Sequence, residues 1–194
     1  KLSMDLDGVE PSINLERKII LKNARHPLMD RAINVPLQFS IGTGVSGIVI
    51  TGPNTGGKTV AIKTVMLNCM MAQCGLHVTC ENADICMNSS YLCDIGDGQN
   101  LAENLSTFSS HIKNVLEILQ NADRDSFVIM DELGSGTDPA EGMGIAIAIL
   151  EELKRTGCLF LVTTHYPEVK EYAKHTESIV NARMTFDQET LQPT

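Results

Sequence analysis

The chain holds 194 residues, 43% apolar and 20% charged, enough for one globular domain with a real core, or one domain and a small appendage. It has no apolar run long enough to span a membrane and no leader layout at its start, so no membrane partner is expected. A formal net charge of −9 argues against a surface that grips nucleic acid by neutralising phosphates, so DNA or RNA contact is expected outside this piece.

The first residue is Lys1 rather than Met, and the chain reads as a fragment of something longer. Residues 1–22 open loose and polar. Ile13, Leu15, Ile19, Ile20 and Leu21, set among charges, predict one or two short strands at a sheet edge. Pro27 forces an extended backbone on His26. The alternation of Ile33-Asn34-Val35-Pro36-Leu37-Gln38-Phe39 predicts a further strand, and Gly42, Gly44 and Gly47 a hairpin turn leading to the apolar run Ile48-Val49-Ile50.

Directly after that run comes Gly52-Pro53-Asn54-Thr55-Gly56-Gly57-Lys58-Thr59, the pattern G-x-x-x-x-G-K-[ST] between a strand and a helix. Glycines let backbone N–H groups turn inward around a polyphosphate, at the positive end of the following helix. Lys58 is placed to reach the outer phosphates and the Thr59 hydroxyl to sit on Mg²⁺. The nucleotide-binding candidates thus run without a break from Gly52 through Val60.

From Thr59 to Cys74, Val60, Ile62, Val65, Met66, Leu67, Met70 and Met71 recur at helical spacing, and Gly75 suits the C-cap. The methionines read as core filling. Six cysteines lie at no metal or disulfide spacing; Cys74, His77 and Cys80 lack the fourth ligand that structural zinc needs, and reduced, mostly buried thiols are expected. Residues 76–98 read as strands and loops. A second helix begins near Leu105-Ser106-Thr107-Phe108-Ser109, with Ser106 or Thr107 as local N-cap and an apolar stripe of Phe108, Ile112, Val115, Leu116 and Leu119.

Phe127-Val128-Ile129-Met130 is a short apolar run suited to a strand buried on both faces, and it ends in Asp131-Glu132. Asp131 suits an acid that holds Mg²⁺ through water, and Glu132 one that activates the attacking water. A turn over 134–139 leads to a helix from about Ala140 to Arg155, closed by Gly157. Leu159-Phe160-Leu161-Val162-Thr163 is another buried strand, with His165 beyond its carboxyl end as a candidate γ-phosphate sensor. A last strand is expected from Ser178 to Phe186.

In this order the blocks resemble the ATPase domain of the MutS family, within the ATP-binding-cassette group of P-loop ATPases. The likeness covers nearly the whole chain and rests on Thr51 to Thr59, Leu105-Ser106-Thr107-Phe108-Ser109-Ser110-His111, Asp131 to Asp138 and Thr163-Thr164-His165-Tyr166. Thr55 and Thr59, where mismatch-repair members typically carry Met and Ser, point to the second branch, often called MutS-two, which lacks mismatch-reading domains. The resemblance implies an α/β fold: a largely parallel central sheet with flanking helices and an N-terminal antiparallel β portion. It implies one ATPase domain over 1–194, with a β-rich lead-in over 1–45 that contacts the nucleoside and a P-loop core over 46–194.

It also implies ATP and Mg²⁺ as ligands and a head-to-tail homodimer with composite sites, in which Ser106 faces the γ-phosphate bound by the other copy. Ser135, Thr137 and Asp138 would cross the seam, Asn54 would lie beside the phosphates, and Asp97 or Gln99 would couple the site to neighbouring domains. Ile33 or Val35 would pack on adenine, without an aromatic ring. Further expectations are DNA held through domains outside this piece, branched DNA or a ribosome as partner, and a cytoplasmic, nucleoid-associated location. Two other readings are a nucleotide-gated dimerisation module with negligible turnover and a transporter-type cassette. Leu105-Ser106-Thr107-Phe108-Ser109 stands where the latter carries L-S-G-G-Q.

Overall fold

The three uninterrupted apolar runs become neighbouring parallel strands, because a strand buried on both faces has no polar side to show water. The computed structural model describes residues 1–52, 57–96 and 104–184, with the backbone alone for 104–108. In chain order the elements are α1 (Leu2–Asp5), β1 (Ser12–Asn14), β2 (Ile19–Ala24), β3 (Leu37–Ile41), β4 (Gly47–Thr51), α2 (Lys58–Gln73), β5 (Asn82–Cys86) and β6 (Tyr91–Asp94). Then come α3 (Asn104–Asn121), β7 (Phe127–Met130), α4 (Pro139–Thr156), β8 (Leu159–Thr164), α5 (Pro167–Lys174) and β9 (Ile179–Arg183).

The chain divides into two compact units. Among the described residues the first takes 1–44, 57–88 and 184, and the second takes 45–52, 89–96 and 104–183. The first holds a mixed sheet ordered β1-β5-β2-β3, in which β1 runs parallel to β5 and β2 antiparallel to both its neighbours. The second holds a five-stranded sheet ordered β6-β7-β8-β4-β9 whose pairs are all parallel. This is the α/β class expected, with a parallel sheet and a β-rich N-terminal portion.

In the second unit α3, α4 and α5 bring Val115, Ile118, Leu150, Leu153 and Val169 against Val49, Val128, Phe160 and Val162 of the sheet. Each such fully buried side chain contributes about 1.5–3 kcal/mol. Gly47, expected in the turn, instead opens β4 opposite Phe160 of β8. A Cβ there would lie 2.0 Å from Phe160 Cζ, so the ring occupies the space a side chain would need. Gly47→Ala is therefore expected to cost about 1–3 kcal/mol of stability in chemical denaturation. An unchanged midpoint would show that the ring can move aside.

The helix ends follow local chemistry. Asp138 caps α4 by accepting the Ala140 N–H at 2.9 Å, Pro139 sits in its first turn, and Gly157 closes it at φ 75°. At the end of α2, Gly75 adopts φ 73°, its N–H donates to Ala72 O, and the Leu76 N–H donates to Met71 O. That is the paired closure that left-handed glycine permits.

Four further expectations change. Residues 2–5 form one helical turn rather than loose chain. The strand expected over 33–39 starts only at Leu37. Pro36 has no N–H to give a ladder, and Asn34 is drawn inward by His26, whose N–H donates to Asn34 Oδ1 and whose carbonyl accepts from Asn34 Nδ2. Helix α3 already includes Asn104, so Ser106 and Thr107 lie inside its first turn and neither is an N-cap. Its buried stripe is also rotated: Ile118 is 4% exposed and Leu116 is 53% exposed. The face toward the sheet is shared with His111 and Asn114, which reach β6. The side chain of Phe108 lies outside the described residues.

Candidate active site

In the second unit, the parallel register sets Thr51 of β4 beside Thr164 of β8, Met130 of β7 beside Val162, and Asp94 of β6 beside Met130. The chain therefore leaves the sheet at Gly52, His165 and Asp131 along one carboxyl edge, with β8 between β4 and β7. That edge is where open parallel sheets bind ligands. Gly52 turns there at φ 138°.

The segment after β7 is fastened to the end of β8 residue by residue. Thr163 Oγ1 donates to Asp131 Oδ1 and accepts the Glu132 N–H at 2.8 Å. The Leu133 N–H donates to the Thr163 carbonyl at 2.8 Å, and Thr164 Oγ1 donates to the Leu133 carbonyl at 3.3 Å. Tyr166 donates its hydroxyl to Gly134 O at 3.0 Å. A Cβ on Gly142 would come within 2.3 Å of Gly134 O and 2.5 Å of the Tyr166 hydroxyl, so glycine lets these three approach. Asp131 and Glu132 are half-buried, and Glu132 holds φ 50°, uncommon for a residue with a side chain. His165 is exposed, its ring 4.7 Å from that of Tyr166 between centroids.

A second polar cluster, missed in the sequence, sits at the end of β6. Asp94 Oδ2 lies 3.1 Å from His111 Nδ1, and its Oδ1 accepts from Asn114 Nδ2 at 2.7 Å. A Cβ on Gly96 would come within 2.6 Å of the His111 ring. The second and third turns of α3 are thereby tied to β6.

The first unit holds the start of α2. Gly57 is its N-cap at φ 76° with no side-chain cap, the first turn carries no acid, and the Ala61 N–H donates to Gly57 O at 2.9 Å. A glycine N-cap and an acid-free first turn suit an anion. Lys58 is 2% exposed, Thr59 half-buried and Val60 exposed.

The 25–36 loop of the same unit is pinned to this helix. Asn68 of α2 donates to Arg25 O at 3.2 Å and accepts the Thr79 N–H at 2.8 Å. Arg25 Nη1 donates to Asn34 O. Burial first, then the Lys63 ammonium, pushes His26 below its ordinary value. Ile33 (66% exposed) and Val35 flank the clamped Asn34.

Of the expected site residues, one sheet edge collects Gly52, Asp131, Glu132 and His165, while Gly57, Lys58, Thr59, Val60 and Ile33 belong to the first unit. Pro53, Asn54, Thr55, Gly56, Asp97 and Gln99, and the side chain of Ser106, lie outside the described residues. Among the described residues no three His, Cys, Asp or Glu side chains are grouped to hold a metal. Cys74 is exposed while Cys80 is buried, and His77 Nδ1 sits 2.6 Å from Ser3 Oγ. None of the six cysteines forms a disulfide, and burial pushes Cys80 up to about 12.

Residues 48–193 match the family model for MutS domain V. A protein named Endonuclease MutS2 from Bacillus mycoides is 49% identical over 190 residues, covering 97% of this chain and 24% of that protein. The protein of the same name from Clostridioides difficile is 48% identical over 195 residues, covering 100% of this chain and 25% of its own length. The chain thus spans about a quarter of the curated relatives it matches.

Proposed function

Since the chain belongs to the MutS family, on its MutS2 branch, we propose that it binds ATP with Mg²⁺ and hydrolyses it. The observation that carries this reading is the carboxyl edge of the parallel sheet. There Asp131-Glu132 follows β7, His165 follows β8, and Gly52 follows β4 and opens, in sequence, the glycine-rich segment that ends in Lys58-Thr59.

Backbone N–H groups between Gly52 and Val60, those of Asn54, Thr55 and Gly56 included and Pro53 having none to give, would cradle the phosphates, and the Lys58 ammonium would bind the outer ones. Thr59 and Asp131 offer oxygen donors of the kind a small hard cation takes, so they are the residues to hold Mg²⁺. Mg²⁺ when bound supplies neutralisation of the charge that develops on the phosphoryl oxygens. Glu132 takes the proton of the attacking water, and His165 contacts the γ-phosphate. Ile33 and Val35, exposed on a loop pinned to α2, support the base. This chain's P-loop ATPase unit works as a homodimer, with Ser106 of a second copy completing each site and Ser135, Thr137 and Asp138 at the seam.

For the longer protein we propose that ATP closes the dimer and hydrolysis reopens it, moving DNA-clamping domains that act on branched DNA or recombination intermediates at the nucleoid, or on a ribosome. No helix among the described residues is long and apolar enough to cross a membrane.

Calorimetry with ATP, with and without Mg²⁺, tests the reading. Saturable binding that tightens with Mg²⁺, together with phosphate release, supports it. Binding without release favours a nucleotide-gated dimerisation module, and no binding removes both.

A further inference from the structure

We infer that Thr163 is a positioning residue that aims both acids of this site, an inference that rests on the ATPase reading above. Thr163 is fully buried at the end of β8, after four apolar residues. A hydroxyl in that place adds nothing to the core and costs desolvation unless its bonds are made. Both are made, and to consecutive residues. A carboxylate can only accept and an amide N–H can only donate, so the proton of Thr163 Oγ1 points to Asp131 and its lone pair to Glu132.

One hydroxyl thus fixes the rotamer of the Asp131 carboxylate. It also satisfies the amide of Glu132 in its left-handed conformation, and the Thr163 carbonyl takes the next amide, Leu133. Thr163 thus holds the start of the turn that brings Glu132 off the strand, and Thr164 and Tyr166 hold the residues that follow. Thr163 touches no reacting atom itself; it acts through the two acids.

The test uses Thr163→Val, which keeps the shape and removes the hydroxyl, Thr163→Ala as a second hydroxyl-free variant, and Thr163→Ser, which restores it. ATP binding is followed by calorimetry across a range of MgCl₂ concentrations, ADP binding without Mg²⁺ serves as control, and hydrolysis and melting temperature are measured alongside. Valine and alanine are each expected to raise the half-saturating Mg²⁺ concentration and lower kcat by about tenfold, as loss of a group orienting a ligand does, with Mg²⁺-free ADP affinity within about twofold. Serine should recover both.

A wild-type Mg²⁺ requirement in the hydroxyl-free variants overturns the inference and leaves the ATPase reading standing. So does a serine variant as impaired as valine with the same drop in melting temperature, which marks a structural role. If the unmodified chain binds no Mg²⁺-dependent ATP, the functional reading fails and the assignment of Thr163 fails with it.

Discussion

Lys58→Ala is expected to reduce kcat/KM for ATP about 10²–10³-fold, the range seen when a preorganised donor to developing charge is removed. The residue opens α2 one step after the left-handed Gly57, and it is buried where the first turn carries no acid. In the proposed site an ammonium on a flexible stem would serve as a point charge for phosphate, and alanine removes the charge while retaining helix propensity. Calorimetry should show ATP affinity falling with it. The melting temperature separates this from damage to the helix: a variant that melts with the unmodified chain and still binds ATP within threefold or so of it would remove Lys58 from the site.

Glu132→Gln has the second large effect, in the opposite pattern. General-base catalysis contributes about 10²–10⁴-fold, so turnover should fall by that factor while ATP affinity holds. Glutamine keeps the size of the side chain, and the Glu132 N–H bond to Thr163 is a backbone bond that the substitution leaves in place. The ATP-bound state should therefore accumulate, and on size exclusion the variant should run as a dimer with ATP and as a monomer without it. Turnover within a few-fold of the unmodified chain would assign the base to another residue.

What the sequence made legible was local. β4, β7 and β8 stood out as apolar runs because strands inside a parallel sheet need apolar residues on both faces. Gly75 and Gly157 were readable as helix ends because caps are made within a few residues, whereas Asp138, read only as part of a turn, proved to be the N-cap of α4. Contacts across long separations were hidden. Thr163 looked like the last residue of an apolar strand, and its partner Asp131 lies 32 positions away. Asp94 and His111 are 17 apart, and nothing in the spacing of α3 announced that a histidine and Asn114 would share its inward face.

The strand expected at 33–36 failed for a similar reason. Alternation there was real, but the side chain of Asn34 bonds back to His26 and pulls the segment into a clamped loop. Helix α5 went unread because its apolar positions are only Val169, Tyr172 and Ala173, too short a pattern to separate from a turn. Gly47 was taken for turn chemistry, whereas the ring of Phe160, 113 residues on by chain numbering, is what requires a glycine there.

The central claim is that an ATP site is completed by Ser106 from a second copy, and the rate of ATP hydrolysis per chain against chain concentration tests it most directly. Two copies sharing each site predict a rate per chain that rises with concentration and levels off once the dimer is filled. Thr163→Val should follow the same curve shape at a lower plateau. A rate per chain that is measurable and flat across the whole range would contradict the composite site and leave a self-contained nucleotide hydrolase.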